Sequence, residues 1–376
     1  MRVLFISQDA SRSGAPTALL QILRGLKQYH HEIEFDLLLL NDGPLMSEFA
    51  RLCPVLLGKH KYTIPHGIFR HLKIGRYLHP YLHLCKKGRY DCIYANTILT
   101  FEAAIKIKKK LEIPLVGHIH EAESSLYKVG ITREQIEEFD QLLTVSELAA
   151  KAIADIYQIP REAISIQHPF SFWVEQYLKG DILVKSTDST DCYTIGLLFS
   201  DNWRKSVETV SMIVKLFDTK YHHIKYCFEI VGPISNQSRY RLEFDFKRMK
   251  LEEKVHFVGA VNNPLDYFAH FDVFLLLSRE ESYSLTAEES AIVETPIVGY
   301  EGATGAAEWI QNGAGILVPY MDIDKLTDSL YLLYTNEQLR KSYGKQGRKM
   351  ICEMYENEKK MDVIADIIKS YSCSRK

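Results

Sequence analysis

The stretch Val273-Phe274-Leu275-Leu276-Leu277-Ser278-Arg279-Glu280-Glu281-Ser282-Tyr283-Ser284-Leu285-Thr286-Ala287-Glu288-Glu289-Ser290-Ala291 decides how this chain is read. Five apolar residues make a strand buried on both faces, a short polar loop comes next, and a helix is expected from near Ser284 to before Pro296. Strand, loop and helix in that order are the repeating unit of a parallel sheet. Two glutamates eight apart lie on it, but the pair can be Glu280 and Glu288 or Glu281 and Glu289. Leu285, Ile292 and Val293 set the apolar stripe of the helix at about 100° per residue. Glu289 falls inside that stripe and Glu288 at its edge, where a carboxylate keeps its water. The helix phase therefore selects Glu281 at the strand's carboxyl end and Glu289 on the inward face.

Outward from this unit the pattern repeats. Strands are expected at 194–199, 226–231, 254–257, 273–277, 297–300 and 315–318. An earlier series falls at 3–7, 34–40, 92–95, 115–120 and 141–145, with a helix from about Pro16 to Tyr29. Short apolar strands alternating with helical stretches predict an α/β fold of two Rossmann-like domains facing each other across a cleft. The boundaries read as a first domain over 1–180, a linker over 181–192, a second domain over 193–350 and a C-terminal helix over 351–376 that packs back on the first domain. The linker includes the polar, aperiodic run Lys185-Ser186-Thr187-Asp188-Ser189-Thr190-Asp191. A ligand is expected in the cleft, reached by strand ends from both halves.

Composition agrees with this division. A chain of 376 residues is too long for one ordinary core. Its apolar runs are strand length, far short of the roughly 20 residues of a membrane span. The start, Met1-Arg2-Val3-Leu4-Phe5-Ile6-Ser7, turns polar too early for a signal peptide and reads as a first strand. Seven cysteines, at 53, 85, 92, 192, 227, 352 and 373, have no CxxC spacing and read as reduced thiols of a cytoplasmic protein.

Several residues could carry chemistry. Gly14, between Ser13 and Pro16 after the first strand, allows close backbone approach at a helix start that favours an anion; the same residues also suit a plain βα turn. In the second half, Arg204 and Lys205 come after the strand at Gly196. Lys205 can reach a diphosphate as a mobile point charge, and Arg204 can clamp it or face solvent. His118 and His120 share one face of their strand, with His120 at its carboxyl end. His120 can bond a substrate, sit in the core, or belong to an His-x-His metal site whose third ligand no residue supplies. The backbone amides of the loop Ser282, Tyr283, Ser284 and Leu285 can cradle a phosphate. Asp322 and Asp324 read as a helix cap.

The order of these blocks resembles glycosyltransferase family 4, with the GT-B fold. The likeness is strongest over 254–319, where Val255-His256-Phe257-Val258-Gly259, Asn263-Pro264, Ser278-x-x-Glu281, Glu289-Ser290-Ala291, Thr295-Pro296 and Gly305-Ala306-Ala307-Glu308 stand in that family's order. Weaker blocks are Gly14-Ala15-Pro16, Asn96-Thr97, His120-Glu121 and Trp203-Arg204-Lys205. The resemblance implies a retaining, metal-independent glycosyltransferase with no cofactor. Its substrates would be a UDP- or GDP-sugar and a glycan or lipid-linked acceptor in cell-surface polysaccharide or glycolipid synthesis. It puts catalysis on His120 and Glu281, donor binding on Gly14, Arg204, Lys205, Ser282, Tyr283, Ser284, Leu285 and Glu289, and no metal in the site. The first domain would bind acceptor and the second the nucleotide sugar. Three positions depart from the family: Leu197 stands where an arginine is frequent, and Ser206 and Ser284 where glycine is usual.

Residues 59–110 carry twelve cations against only Asp91 and Glu102, interleaved with Tyr62, Phe69, Tyr77, Tyr81 and Tyr90. Such a stretch either docks on an anionic inner membrane leaflet, at about 1 kcal/mol per cation near the surface, or is a solvated basic face. Nucleic acid is a poorer match, because no recognition module accompanies the charges. A sugar-nucleotide 2-epimerase and a non-catalytic nucleotide-sugar-binding module share the architecture and are the competing readings. The docking reading predicts that the protein floats with vesicles rich in anionic lipid at low salt and is released as salt rises; sedimentation away from such vesicles at low salt would remove it.

Overall fold

The computed structural model describes residues 1–58, 85–86, 88–184, 192–355 and 357–371. The described residues form two compact units, one of 1–168 with 357–376 and the other of 169–356. The expected linker run Lys185 to Asp191 lies outside the described residues. The first division falls at His168 and Pro169, ahead of the expected linker, because the helix Phe172–Leu178 packs on the second unit's helix Leu285–Ile292. The chain returns to the first unit at Asn357.

The first unit is a seven-stranded parallel sheet of β1 (Arg2–Ser7), β2 (Glu34–Leu39), β3 (Val55–Leu57), β4 (Cys92–Asn96), β5 (Leu115–Ile119), β6 (Gln141–Thr144) and β7 (Ile164–Ile166), in the order β3-β2-β1-β4-β5-β6-β7. Alternation along β1 sends Leu4 and Ile6 into one core and Val3 and Phe5 into the other, so both faces are covered. The second core lies under the helices Gly14–Tyr29 and Asn357–Ser370, the latter contributing Ile364, Ala365 and Ile368. The sequence pattern misses β3 and β7. Each is a three-residue edge strand, too short to show a period.

The second unit repeats the scheme with β8 (Tyr193–Leu198), β9 (Tyr226–Val231), β10 (Val255–Gly259), β11 (Val273–Leu276), β12 (Ile297–Tyr300) and β13 (Gly315–Val318), all parallel, in the order β10-β9-β8-β11-β12-β13. In each sheet the order reverses beside the first strand, at β1/β4 and at β8/β11. Loops from two strands diverge there and leave a crevice at the carboxyl ends.

The charge reading of residues 59–110 changes once the chain is folded. Residues 59–84 and 87 lie outside the described residues. Of the rest, Arg89 pairs with the buried Asp36, Lys108 with Asp140 and Lys109 with Glu138, while Lys106 pairs with Glu102. Asp36, Asp140 and Glu138 come from outside the stretch, so its local charge excess is partly neutralised by acids that the fold supplies. Among the described residues no helix is long and apolar enough to cross a membrane.

The helix Glu337–Met354 closes against the backbone after Leu285–Ile292, and glycine permits it: a Cβ on Gly344 would meet the Glu294 carbonyl oxygen at 2.0 Å. At Gly14 a Cβ meets nothing within 4 Å. Gly344→Ala is therefore expected to cost about 1–3 kcal/mol in urea unfolding, and Gly14→Ala to change stability by less than about 0.5 kcal/mol. Equal midpoints for the two variants would contradict this packing.

Candidate active site

The second unit's crevice is built from the segments that leave β8 and β11. After β8 the chain makes two short 3-10 turns, Trp203–Lys205 and Val207–Thr209, before the helix Val210–Tyr221 begins. Lys205 thus sits on a turn several residues ahead of the helix expected directly behind it. Its Nζ is ion-paired with Glu281 Oε1, and both side chains are largely buried. The Glu281 backbone is pinned as well: its N–H donates to the Ala303 carbonyl (2.7 Å), and its carbonyl accepts from the Gly305 N–H (3.1 Å).

Burial would raise the Glu281 carboxyl, but the Lys205 charge and hydrogen bond, a hydrogen bond from Ser284 and the nearby Arg204 outweigh it. They hold the group below the ordinary carboxylate range. Its second oxygen, Oε2, is buried and has no hydrogen-bond partner among the described residues. A charged oxygen in that state is an acceptor in want of a donor.

The helix Leu285–Ile292 starts beside this carboxylate. Ser284 precedes it with φ 113°, and Ser206, after Lys205, has φ 53°. Both lie in the region that favours glycine, at the two positions where this sequence departs from the glycine of the family it resembles. Leu197, the third departure, is fully buried in the core. Arg204 is half-buried, close enough to Glu281 to lower its carboxyl, and its carbonyl accepts from the Arg279 N–H at 2.7 Å.

The two carboxyls further along do not divide as the helix phase predicts. Glu288, expected at a watered edge, is completely buried, and Glu289 is 7% exposed. No wet edge exists, because every residue from Ala287 to Ile292 is covered. Glu288 Oε1 accepts from the Tyr283 hydroxyl (2.7 Å). Glu288 Oε2 accepts from the Ser171 N–H (3.3 Å) and from the Tyr355 hydroxyl. Glu289 Oε1 accepts from the Ser171 hydroxyl (2.6 Å). Burial, reinforced by the adjacent Glu288, pushes the Glu289 carboxyl up to about 7, against the pull of Ser171 and Lys205. Tyr283 is thereby committed to the interior, and only its backbone can serve a ligand. Sequence reasoning missed Ser171 and Tyr355, which lie more than 60 residues from the helix they satisfy.

The first unit holds Gly14 and His120. Gly14 opens the helix Gly14–Tyr29, and His120 comes directly after β5. They are linked by Asn96, fully buried at the end of β4, whose Nδ2 donates to the Ala15 carbonyl (3.0 Å) and whose Oδ1 lies 2.8 Å from His120 Nε2. With Nδ2 committed as donor, Oδ1 must accept, so His120 carries its proton on Nε2. Burial pushes the imidazole down to about 3, so the ring is neutral near pH 7. The His118 ring lies tilted against it at 4.0 Å between centroids and shares a hydrogen bond with the Tyr94 hydroxyl (2.7 Å), a structural role.

Asp322 accepts from the Lys325 N–H at 3.0 Å, as a helix cap. Arg204, Lys205, Glu281, the loop 282–285 and Glu289 are gathered on one unit. Gly14 and His120 are gathered on the other.

Comparison with known proteins shows the family and the fold. The family profile described as Glycosyltransferase Family 4 matches residues 12–170, and that described as Glycosyl transferases group 1 matches 197–350. The chain belongs to glycosyltransferase family 4. Within the family's wider kin it is 27% identical over 234 residues to N-acetyl-alpha-D-glucosaminyl L-malate synthase of Bacillus anthracis, covering 61% of this chain and 59% of that protein. It is 22% identical over 162 residues to the capsular polysaccharide biosynthesis glycosyltransferase CapM of Staphylococcus aureus, covering 43% and 42%. These matches span about half the length of the two curated relatives.

Among solved structures, HepE of Anabaena in complex with UDP-glucose superposes with a TM-score of 0.74 at 16% identity, over 98% of this chain and 100% of that one. The apo form of the lipopolysaccharide outer core galactosyltransferase WaaB gives 0.77 at 14%, over 98% and 99%. At these identities the likeness is one of fold, and the fold is GT-B.

Glu289 is thus a carboxyl that stays protonated to about pH 7 in the folded protein, against 4.5 when exposed. Stability present below pH 4.5 is therefore lost as pH rises between about 4.5 and 7, by about 3 kcal/mol in all. Glu289→Gln, which keeps an acceptor for Ser171, should match the parent near pH 4.5 and exceed it progressively up to pH 8 in denaturant unfolding. A difference that does not change with pH would refute the assignment.

Proposed function

We propose that this chain is a retaining glycosyltransferase that moves a sugar from a nucleotide-sugar donor to a hydroxyl of a glycan or lipid-linked acceptor. The observation that carries the reading is the Glu281 carboxylate. One oxygen is held by Lys205 and the other is buried without a donor, at the carboxyl end of β11, where the sheet order reverses. Sugar hydroxyls are the donors such an oxygen lacks. The names of the relatives support the class: one is a 2-deoxystreptamine N-acetyl-D-glucosaminyltransferase, at 23% identity over 77% of this chain, and the HepE structure holds UDP-glucose.

In this reading Glu281 accepts from hydroxyls of the transferred sugar and so positions its anomeric carbon. Lys205 exchanges Glu281 for the diphosphate as the donor enters, with Arg204 adding positive charge and the amides of Ser284 and Leu285 presenting a helix N-terminus. Glu289 exchanges the Ser171 hydroxyl for hydroxyls of the ribose. The C1–oxygen bond to the diphosphate breaks, and negative charge gathers on the leaving phosphate, where Lys205 and the helix start stabilise it. The acceptor oxygen bonds to C1 from the same face and its proton passes to that phosphate, so configuration is retained and no enzyme nucleophile is required. His120, neutral with its proton on Nε2, serves as a hydrogen-bonding group toward the sugar. Nothing in these steps calls on a metal or a cofactor. The proposal includes a cytoplasmic location and peripheral docking on an anionic membrane surface through the basic stretch 59–110.

The test is a panel of UDP- and GDP-sugars read first by thermal shift, since a true donor raises the melting temperature by mass action, and then by product formation with glycan and lipid-linked acceptors. Glu281→Gln is expected to lower kcat by about 10²–10³-fold while binding the free nucleotide within about threefold of the parent. Lys205→Met should weaken the nucleotide itself by at least about tenfold, with circular dichroism confirming that it folds. Full turnover by Glu281→Gln would overturn the site. An epimerised sugar formed without acceptor, or donor binding with no product across the panel, would overturn the transferase reading.

A further inference from the structure

A second group of donor atoms lies near the other end of the second sheet. Along β9, Tyr226, Phe228 and Ile230 face the core, so the two-residue period turns Cys227 and Glu229 to the opposite face. The strand register sets His256 of the edge strand β10 directly beside Glu229, and Thr194 and Gly196 of β8 beside Cys227 and Glu229. Gly196 shapes this face: a Cβ there would meet the Phe271 ring at 1.8 Å, so its absence lets the chain after Pro264–Phe268 lie flat on the sheet. That close approach brings His270 Nε2 to 3.6 Å from Glu229 Oε1. Cys227 is buried, with Sγ 3.6 Å from Thr194 Oγ1 and the Cys192 thiol as a neighbour.

One ligand atom from each of Cys227, Glu229 and His256 lies within 4.8 Å of the other two. Ligands of a tetrahedral zinc with a thiolate, an imidazole and a carboxylate stand roughly 3.3–3.8 Å apart. Small side-chain rotations close that gap, and the exposed position of His256 permits them. A soft sulfur with one nitrogen and one oxygen selects a borderline transition metal over magnesium or calcium.

We propose that Cys227, Glu229 and His256 bind a divalent transition-metal ion of the zinc class, with His270 as the outer partner that orients the Glu229 carboxylate. Binding replaces the Cys227 proton by the metal and ties the edge strand β10 to β9. The role is structural, since Cys227 and His256 are the second residues of their strands and the glutamate site lies at the carboxyl ends. The proposal does not depend on the transferase reading.

Anaerobic titration of the purified full chain with Co²⁺ tests it. One equivalent should produce a thiolate-to-cobalt absorption band that Zn²⁺ bleaches by displacement, and Zn²⁺ alone should raise the melting temperature. Cys227→Ser should abolish the band. His256→Ala, an exposed position that leaves the core intact, should weaken Zn²⁺ by at least about tenfold against a chromophoric chelator. Cys352→Ser, a change at an exposed thiol elsewhere, should leave the band unchanged. Nucleotide binding should be the same in all three variants, which separates this site from the glutamate site. A band that survives both Cys227→Ser and His256→Ala, or that vanishes in Cys352→Ser, or no Zn²⁺ binding tighter than about 10 µM, would overturn the proposal.

Discussion

A carboxyl group cut off from water must be satisfied by its own protein, and in the second unit Glu288 is that group. The donors it takes, the hydroxyls of Tyr283 and Tyr355 and the N–H of Ser171, come from three places far apart in the chain. Leaving any of them unmade would cost about 1–3 kcal/mol or more for a charged partner. The loop 282–285, the segment after Pro169 and the end of the helix Glu337–Met354 are therefore drawn to one helix. Glu289 is held by Ser171 and Glu281 by Lys205 on the scaffold that results.

That scaffold explains how two neighbouring glutamates acquire different characters. Glu281 stands beside a lysine and is kept charged, with one oxygen left over for a ligand. Glu289 is buried beside Glu288, which outweighs the Ser171 hydroxyl and the more distant pull of Lys205, and its proton is retained to about pH 7. Ser206 and Ser284 keep left-handed backbone at both ends of the Lys205–Glu281 pair without the freedom of glycine. Strain at such positions persists where surrounding bonds over-determine the geometry. Ser284, whose hydroxyl bonds that of Thr286, is an instance.

Much of this is legible in the order of residues. The six strands of the second unit and five of the seven in the first show as largely apolar runs, because most of these strands are covered on both faces. β3 and β7 do not show, since three edge residues carry no period. Glu281, Lys205 and His120 are marked by their positions after strands. Helix phase misplaces Glu288 because it assumes one wet face, and this helix has none. Ser171 and Tyr355 carry no local signal as partners in a site: a hydroxyl acquires meaning only from the group it meets. The basic stretch looks strongly cationic for the same reason, because Asp36, Glu138 and Asp140 reach its lysines and arginine only through the fold.

Periodicity and spacing, which are properties of neighbouring residues, are enough to give the alternation of strands and helices and the two sheets built from it. They also mark the side chains that end up at the carboxyl ends of strands, while the family comes from the resemblance of the ordered motif blocks and from the matching profiles. Which carboxyl is charged, which is neutral and which is consumed as a structural acceptor was settled by the folded chain alone. The same holds for the thiol, carboxylate and imidazole set side by side on β9 and β10. Protonation and ligation depend on burial and on partners within a few ångströms, and in a parallel sheet those partners come from segments tens of residues away.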